Sequence, residues 1–224
     1  MSIQKLDFAE SFFPVSYICG ESTYEVGNKS ILLNLSEAPV LINGRPLDFF
    51  RSVTVAGITL KCVERCLLIG KFLDYPDIGE LYDRIRDKWT LAYDATREER
   101  HKGVALWRSP KQQIGNVAVN MCLAGSVPLN VGLHREHWGG PPIKEVHTQI
   151  VGLGIMQQYR ENDLNTLYRE EYMAPGHSHI PMYSAEIEYP WHQYETITPS
   201  VFMATEMLEG TQPAGDLRLC GKAD

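Results

Sequence analysis

Six of the seven histidines, His134, His137, His147, His177, His179 and His192, fall between positions 134 and 192, and none lies in the first 100 residues. An even scatter would place about two in that stretch, so the clustering asks for a shared cause. The commonest cause is a transition metal, because neutral imidazole is a good ligand for borderline divalent ions. A site built mainly from histidine with few carboxylates favours iron, zinc, nickel, copper or manganese over calcium or magnesium, whose shells are built from oxygen. The plain alternative is that several of these rings are satisfied core or surface groups.

Alternate side chains of a strand point the same way, so in Glu145-Val146-His147-Thr148-Gln149 the residues Glu145, His147 and Gln149 share a face. His177 and His179 share one likewise, as do His192 and Tyr194. Such neighbours can converge inside a small barrel, where polar side chains are costly unless an ion and its outer shell partner them. Beside an ion, Glu145, if not itself a ligand, could move a proton, and Tyr194 could donate a hydrogen bond to developing charge.

Other patterns carry less. His134-Arg135-Glu136 matches part of a facial triad for non-haem iron, but the tripeptide is common and sits beside a Gly-Pro loop. Gly152-Leu153-Gly154 reads as a β-turn, being too short for a dinucleotide fingerprint. Neither a Gly-x-Ser-x-Gly elbow nor a phosphate-cradling Gly-Lys-Ser/Thr loop occurs. Trp138, Trp191, Tyr183 and Tyr194 read first as packing residues. The five cysteines, Cys19, Cys62, Cys66, Cys122 and Cys220, form an odd set without CxxC spacing, so reduced thiols are expected rather than disulfides or a zinc ribbon.

The elements that must position these residues are mainly β. From residue 104 onward, strand-length apolar pieces alternate with Gly, Pro, Asn and Asp, the pattern of an antiparallel sandwich or barrel. Residues 28–72 read as strands too, with Asn43-Gly44 as a two-residue hairpin because both residues tolerate positive φ. Residues 76–92 change period: Pro76 suits a first helical turn, and Ile78, Leu81, Tyr82, Ile85 and Trp89 recur every three or four positions. Thr96 to Gly103 opens with a Ser/Thr-x-x-Glu cap and reads as a short solvated helix or turn. The division expected is a β-rich extension over 1–103, a barrel over 104–210 and a loose tail over 211–224. The extension is expected to prolong the barrel's sheet, the alternative being a second, histidine-free barrel.

Composition bounds the function. With 224 residues, 44% hydrophobic and 22% charged, the chain can bury a sizeable core. A formal charge of −7 offers no basic field for nucleic acid or anionic lipid. No apolar run suits a membrane span, and the N-terminus lacks the cationic flank of a signal peptide, so a cytoplasmic protein is expected.

Glu145 and Gly152, with six residues between them, resemble the second half of the first strand motif of the cupin superfamily. Pro175-Gly176-His177-Ser178-His179 resembles its second motif, a turn entering a histidine-bearing strand. The resemblance implies a double-stranded β-helix holding one divalent metal, Fe(II) first and Zn or Mn as alternatives. Two ligand registers follow. In one, His147, His177, His179 and His192 surround the ion with Glu145 or Gln149 beside it; in the other, His134 or His137 joins Glu145 and His179. The first is preferred because strands hold geometry better than a Gly-Pro loop. The resemblance further implies a homodimer and an enzyme acting on a small polar metabolite, with a non-haem iron oxygenase ahead of a zinc or manganese isomerase, epimerase or lyase. A non-catalytic metal-containing binding or sensor protein is the reading from another class.

Overall fold

The computed structural model describes residues 2–75, 78–135, 144–180 and 190–207. The expected tail over 211–224, and Pro76, Glu136, His137, Trp138, Tyr183 and Cys220, lie outside the described residues. What is described is three antiparallel sheets. The first holds β1 (Ser2–Leu6), β2 (Val15–Val26), β3 (Ser30–Asn34), β4 (Val40–Ile42), β5 (Arg45–Leu47), β6 (Ser52–Val55) and β7 (Ile58–Gly70), in the order β1-β2-β7-β3-β6 with the β4–β5 hairpin paired to β7. After helix α1 (Ile78–Arg86), strand β8 (Thr90–Leu91) and the short helix α2 (Ala92–Thr96) come β9 (Leu106–Arg108), β10 (Gln112–Ile114), β11 (Val117–Ala124) and β12 (Lys144–Val151). Strands β13 (Gly154–Tyr159), β14 (Leu167–Met173), β15 (Trp191–Thr196) and β16 (Ser200–Met207) complete the chain. The second sheet runs β12-β16-β11-β9-β8 with β10 on β11, and the third runs β14-β13-β15.

Local expectations hold where the sequence carries its own geometry. Asn43 and Gly44 take φ of 48° and 77° and close the β4–β5 hairpin, the left-handed pair that such a turn requires. The helix spans Ile78–Arg86 and buries Leu81, Tyr82 and Ile85, with Trp89 buried just beyond it. Gly152 and Leu153 connect β12 to β13 as a turn, with φ of 81° at Gly152. Cys19, Cys62, Cys66 and Cys122 are free thiols.

Contrary to expectation, the N-terminal strands do not prolong the barrel's sheet; they hydrogen-bond into a sheet of their own. Contact with the rest is through side chains. Ile31, Leu33, Leu67 and Ile69 of the first sheet share a core with Val119, Met121, Leu123, Val146, Val201 and Met203 of the second. Each such side chain contributes about 1.5–3 kcal/mol by leaving water. Strand β11 is buried along its whole length because its odd-numbered residues face this core while Ala118, Asn120, Cys122 and Ala124 face the other way. That other face meets the third sheet across a second cluster containing Cys122, Phe202, Met156 and Tyr194. A sheet buried on both faces reads as a continuous apolar run, and the polar residues interrupting its inner face mark the site.

Candidate functional site

Those interruptions are Glu145 and His147 on β12, Asn120 on β11 and Glu206 on β16, all buried. Glu145, His147 and Glu206 face a cavity of about 690 Å³ between the second and third sheets, also lined by His134, His192, Tyr194 and Phe202, and Asn120 touches it through its bond to Arg108. Cross-strand register places them in rows. Ala118, Glu206 and Glu145 form one row, and Asn120, Ala204 and His147 the next. Alternation along β12 thus puts Glu145 and His147 on the cavity side. From the third sheet, β15 presents His192 and Tyr194 on the same side, and the segment before residue 135 runs antiparallel to it. His134 and His192 exchange both backbone hydrogen bonds, at 3.0 and 2.9 Å, and their rings lie 4.2 Å apart between centroids.

Distances and tautomers bear on what this group can hold. His147 Nε2 lies 3.5 Å from Glu145 Oε1, and His192 Nε2 lies 4.0 Å from Glu145 Oε2. Donors bound at about 2.1 Å to one ion stand at most about 4.2 Å apart, so both pairs are within the span of a single cation. Nδ1 of His134 meets the Gly132 carbonyl at 2.9 Å, and Nδ1 of His192 meets the Pro190 carbonyl at 3.1 Å. A carbonyl only accepts, so in each neutral ring Nδ1 carries the proton and Nε2 is the coordinating nitrogen, the arrangement usual for metal-ligating histidines. Donor type and tautomer therefore fit a divalent ion, although among the described residues no three His, Cys, Asp or Glu side chains close around one.

The structure brings together members of both expected registers and completes neither. His147, His192, Glu145 and His134 all line the cavity. His177 stands apart: its Nε2 pairs with Glu171 Oε1 at 2.9 Å. Burial alone would raise the Glu171 carboxyl, but the His177 bond and the Ile180 N–H outweigh it and hold it below the usual range. His179 is fully buried behind His147, with Nδ1 donating to the Ile180 carbonyl and Nε2 accepting the backbone N–H of His147, both at 2.9 Å. Strand β12 is a sheet edge, and the segment from Gly176 to His179 satisfies its outward groups: Gln149 N–H donates to the His177 carbonyl and Gly176 N–H to the Gln149 carbonyl. His179 extends that role with its ring. Burial, with the His147 ring next in effect, lowers its pKa to about 4, so it is neutral at pH 7.

Tyr194 is 2% exposed and donates its hydroxyl proton to Gln149 Oε1, while Gln149 Nε2 donates to Val151 O and Ser200 Oγ. It is built into the wall, and burial raises its pKa. Gln149, expected beside the ion, serves that network. A hydroxyl chain anchors the His177–His179 segment to the first sheet: Ser178 Oγ bonds both Thr148 Oγ1 and Ser52 Oγ at 2.7 Å, and Ser52 Oγ donates to the Gly176 carbonyl at 2.8 Å.

Residues not singled out in the sequence, and Arg100 and His101, which fall in the stretch expected to be a solvated turn, complete the cavity. Arg100, His101, Arg108, Lys111 and Glu206 line it. Lys111 Nζ bridges both Glu206 oxygens at 2.7 and 2.5 Å, and Arg100 pairs with Glu98 at 2.6 Å. His101, the one histidine outside the cluster, is buried; desolvation first and the Arg100 charge second lower its pKa to about 4. Its nearness to the cavity comes from chain reversal between α2 and β9, which no local spacing announces.

No family model matches the chain, and no curated protein matches it. Among solved structures it is similar to a cupin 2 conserved barrel domain protein from Leptotrichia buccalis, with 9% identity and a TM-score of 0.35, covering 93% of this chain and 88% of that one. It is also similar to an oxalate decarboxylase, with 10% identity, a TM-score of 0.36 and coverage of 91% and 71%, and to an RmlC-like cupin from Desulfovibrio desulfuricans, with 10% identity, a TM-score of 0.31 and coverage of 43% and 76%. With every TM-score below 0.5, the site is read from its own residues. The chain is a mainly β protein of packed antiparallel sheets, and cupin proteins are among the solved structures it is similar to.

Proposed function

We propose that the protein is a cupin-like, metal-dependent enzyme acting on a small polar metabolite, with Fe(II)-dependent oxygenation as the first assignment. The observation that supports it is the convergence of Glu145 and His147 from the second sheet with His192 and His134 from the third on one cavity. These four residues would hold the ion, and three imidazoles with one carboxylate suit iron, manganese or zinc. Bound iron would supply redox chemistry with dioxygen, and zinc or manganese would polarise a substrate oxygen. The chain's own contributions are orientation and proton handling. His179 and the carbonyls of Gly132 and Pro190 fix the rings, Glu145 can hold or move a proton where it does not itself bind the ion, and Tyr194 and Phe202 shape a wall that excludes water. No helix among the described residues is long and apolar enough to cross a membrane; a cytoplasmic homodimer is part of the proposal.

Metal analysis of purified protein, with oxygen uptake followed on adding candidate substrates to the iron-loaded form, tests it. One equivalent of metal and substrate-dependent oxygen consumption are expected. Turnover under anoxia moves the assignment to an isomerase or lyase, and absence of metal from protein purified without chelator overturns the reading.

A further inference from the structure

The cavity's cations are not all used by its carboxylates. Lys111 is taken by Glu206 and Arg100 by Glu98. Arg108, half-buried on β9, makes one hydrogen bond, from Nη2 to Asn120 Oδ1 at 3.3 Å, and no carboxylate among the described residues pairs with it. A guanidinium presents five donors in a planar fork, and its match is a carboxylate taken in two parallel bonds.

Register places this fork relative to the histidines. Asn120, Ala204 and His147 lie in one row across β11, β16 and β12. Neighbouring strands are about 4.8 Å apart, so the Arg108–Asn120 pair and His147 are separated by roughly 10 Å of floor. The residue between them is an alanine whose side chain leaves that floor open. We propose, resting on the functional reading above, that Arg108 is the anchor for a carboxylate group of the ligand. The ligand is then a small carboxylic acid of a few carbon atoms, lying over Ala204 with its acid end on Arg108 and its reacting end toward Glu145, His147 and His192. One unpaired guanidinium neutralises one negative charge, which matches a carboxylate better than a phosphate dianion.

Calorimetric titration of the full chain as purified, its metal content measured alongside, tests this with malonate and succinate, their neutral diamides, and inorganic phosphate. The diacids are expected to bind at least tenfold more tightly than the diamides. Arg108→Gln is expected to lose at least tenfold in diacid affinity with unchanged metal content and unchanged circular dichroism, Arg108→Lys to recover part of it, and Ala204→Leu to block binding while keeping the metal. Diacid affinity unchanged in Arg108→Gln, diamides binding as well as diacids, phosphate binding where no diacid does, or no binding of any probe each overturns the proposal. His147→Ala separates the two readings: metal lost with diacid binding kept leaves Arg108 as anchor and removes the metal assignment. Metal kept in Arg108→Gln with diacid affinity intact does the reverse. Should Arg108→Gln fail to fold, Arg108→Lys and Ala204→Leu decide alone, and wild-type affinity in both overturns the proposal.

Discussion

Glu145 on β12 and Glu206 on β16 stand directly opposite each other, two buried carboxylates on one cavity wall. Like charges so placed destabilise a sheet unless each is compensated. Lys111 compensates Glu206, and the histidines with the ion they would hold compensate Glu145.

Lys111→Met therefore leaves Glu206 without its cation beside a second carboxylate. Lys111 is 44% exposed, so water screens part of the loss. The cost is about 1–2 kcal/mol, below the 3–5 kcal/mol of a fully buried pair. Urea unfolding with and without metal measures it; a larger loss in the metal-free protein is expected, and equal losses would place no cation next to Glu145.

His147→Ala and His192→Ala are expected to lose most of the bound metal, whereas His177→Ala keeps it because His177 is engaged with Glu171. His179→Ala acts through the backbone, leaving the buried N–H of His147 without an acceptor at a cost of about 1–3 kcal/mol. Emission spectrometry and thermal melts on the four variants separate ligands from support; full metal in the His147 and His192 variants would remove them from the ion.

A Cβ on Gly154 would overlap the Tyr194 hydroxyl and ring. Gly154→Ala is expected to push Tyr194 off Gln149 and destabilise by about 1–3 kcal/mol, the usual cost of overpacking. Restoration by Tyr194→Phe in the same chain, read as a recovered melting temperature, identifies the hydroxyl as the obstacle; no recovery places the clash on the ring.

His101 supplies a pH dependence. Its folded pKa of about 4 lies below the ordinary 6.5, so between those values the unfolded chain binds the extra proton. Stability is whole above pH 6.5 and falls as pH drops toward 4. His101→Gln is expected to flatten that slope by up to one proton, with His179 contributing the rest in the same window. An unchanged slope of unfolding free energy against pH in His101→Gln would place the proton elsewhere.

Much of the local architecture was legible because it depends on neighbours in sequence. Asn43-Gly44 dictates its turn through allowed φ, the 78–86 helix declares itself through the spacing of Leu81, Tyr82 and Ile85, and alternation places Glu145 with His147 and His192 with Tyr194. The same alternation could not say which strand edge a histidine meets. His177 and His179 lie on a segment that closes the open edge of β12, so one ring turns to Glu171 and the other to a backbone N–H.

Composition and pattern by themselves determined a mainly β chain with its imidazoles concentrated in the C-terminal half, because burial periodicity and turn chemistry are short-range properties. Tertiary structure decided which of those imidazoles share a wall, that the N-terminal strands pack as a separate sheet, and that Arg108 reaches the same hollow. Those outcomes depend on strand register and sheet packing, which join residues far apart along the chain and leave no mark in local spacing.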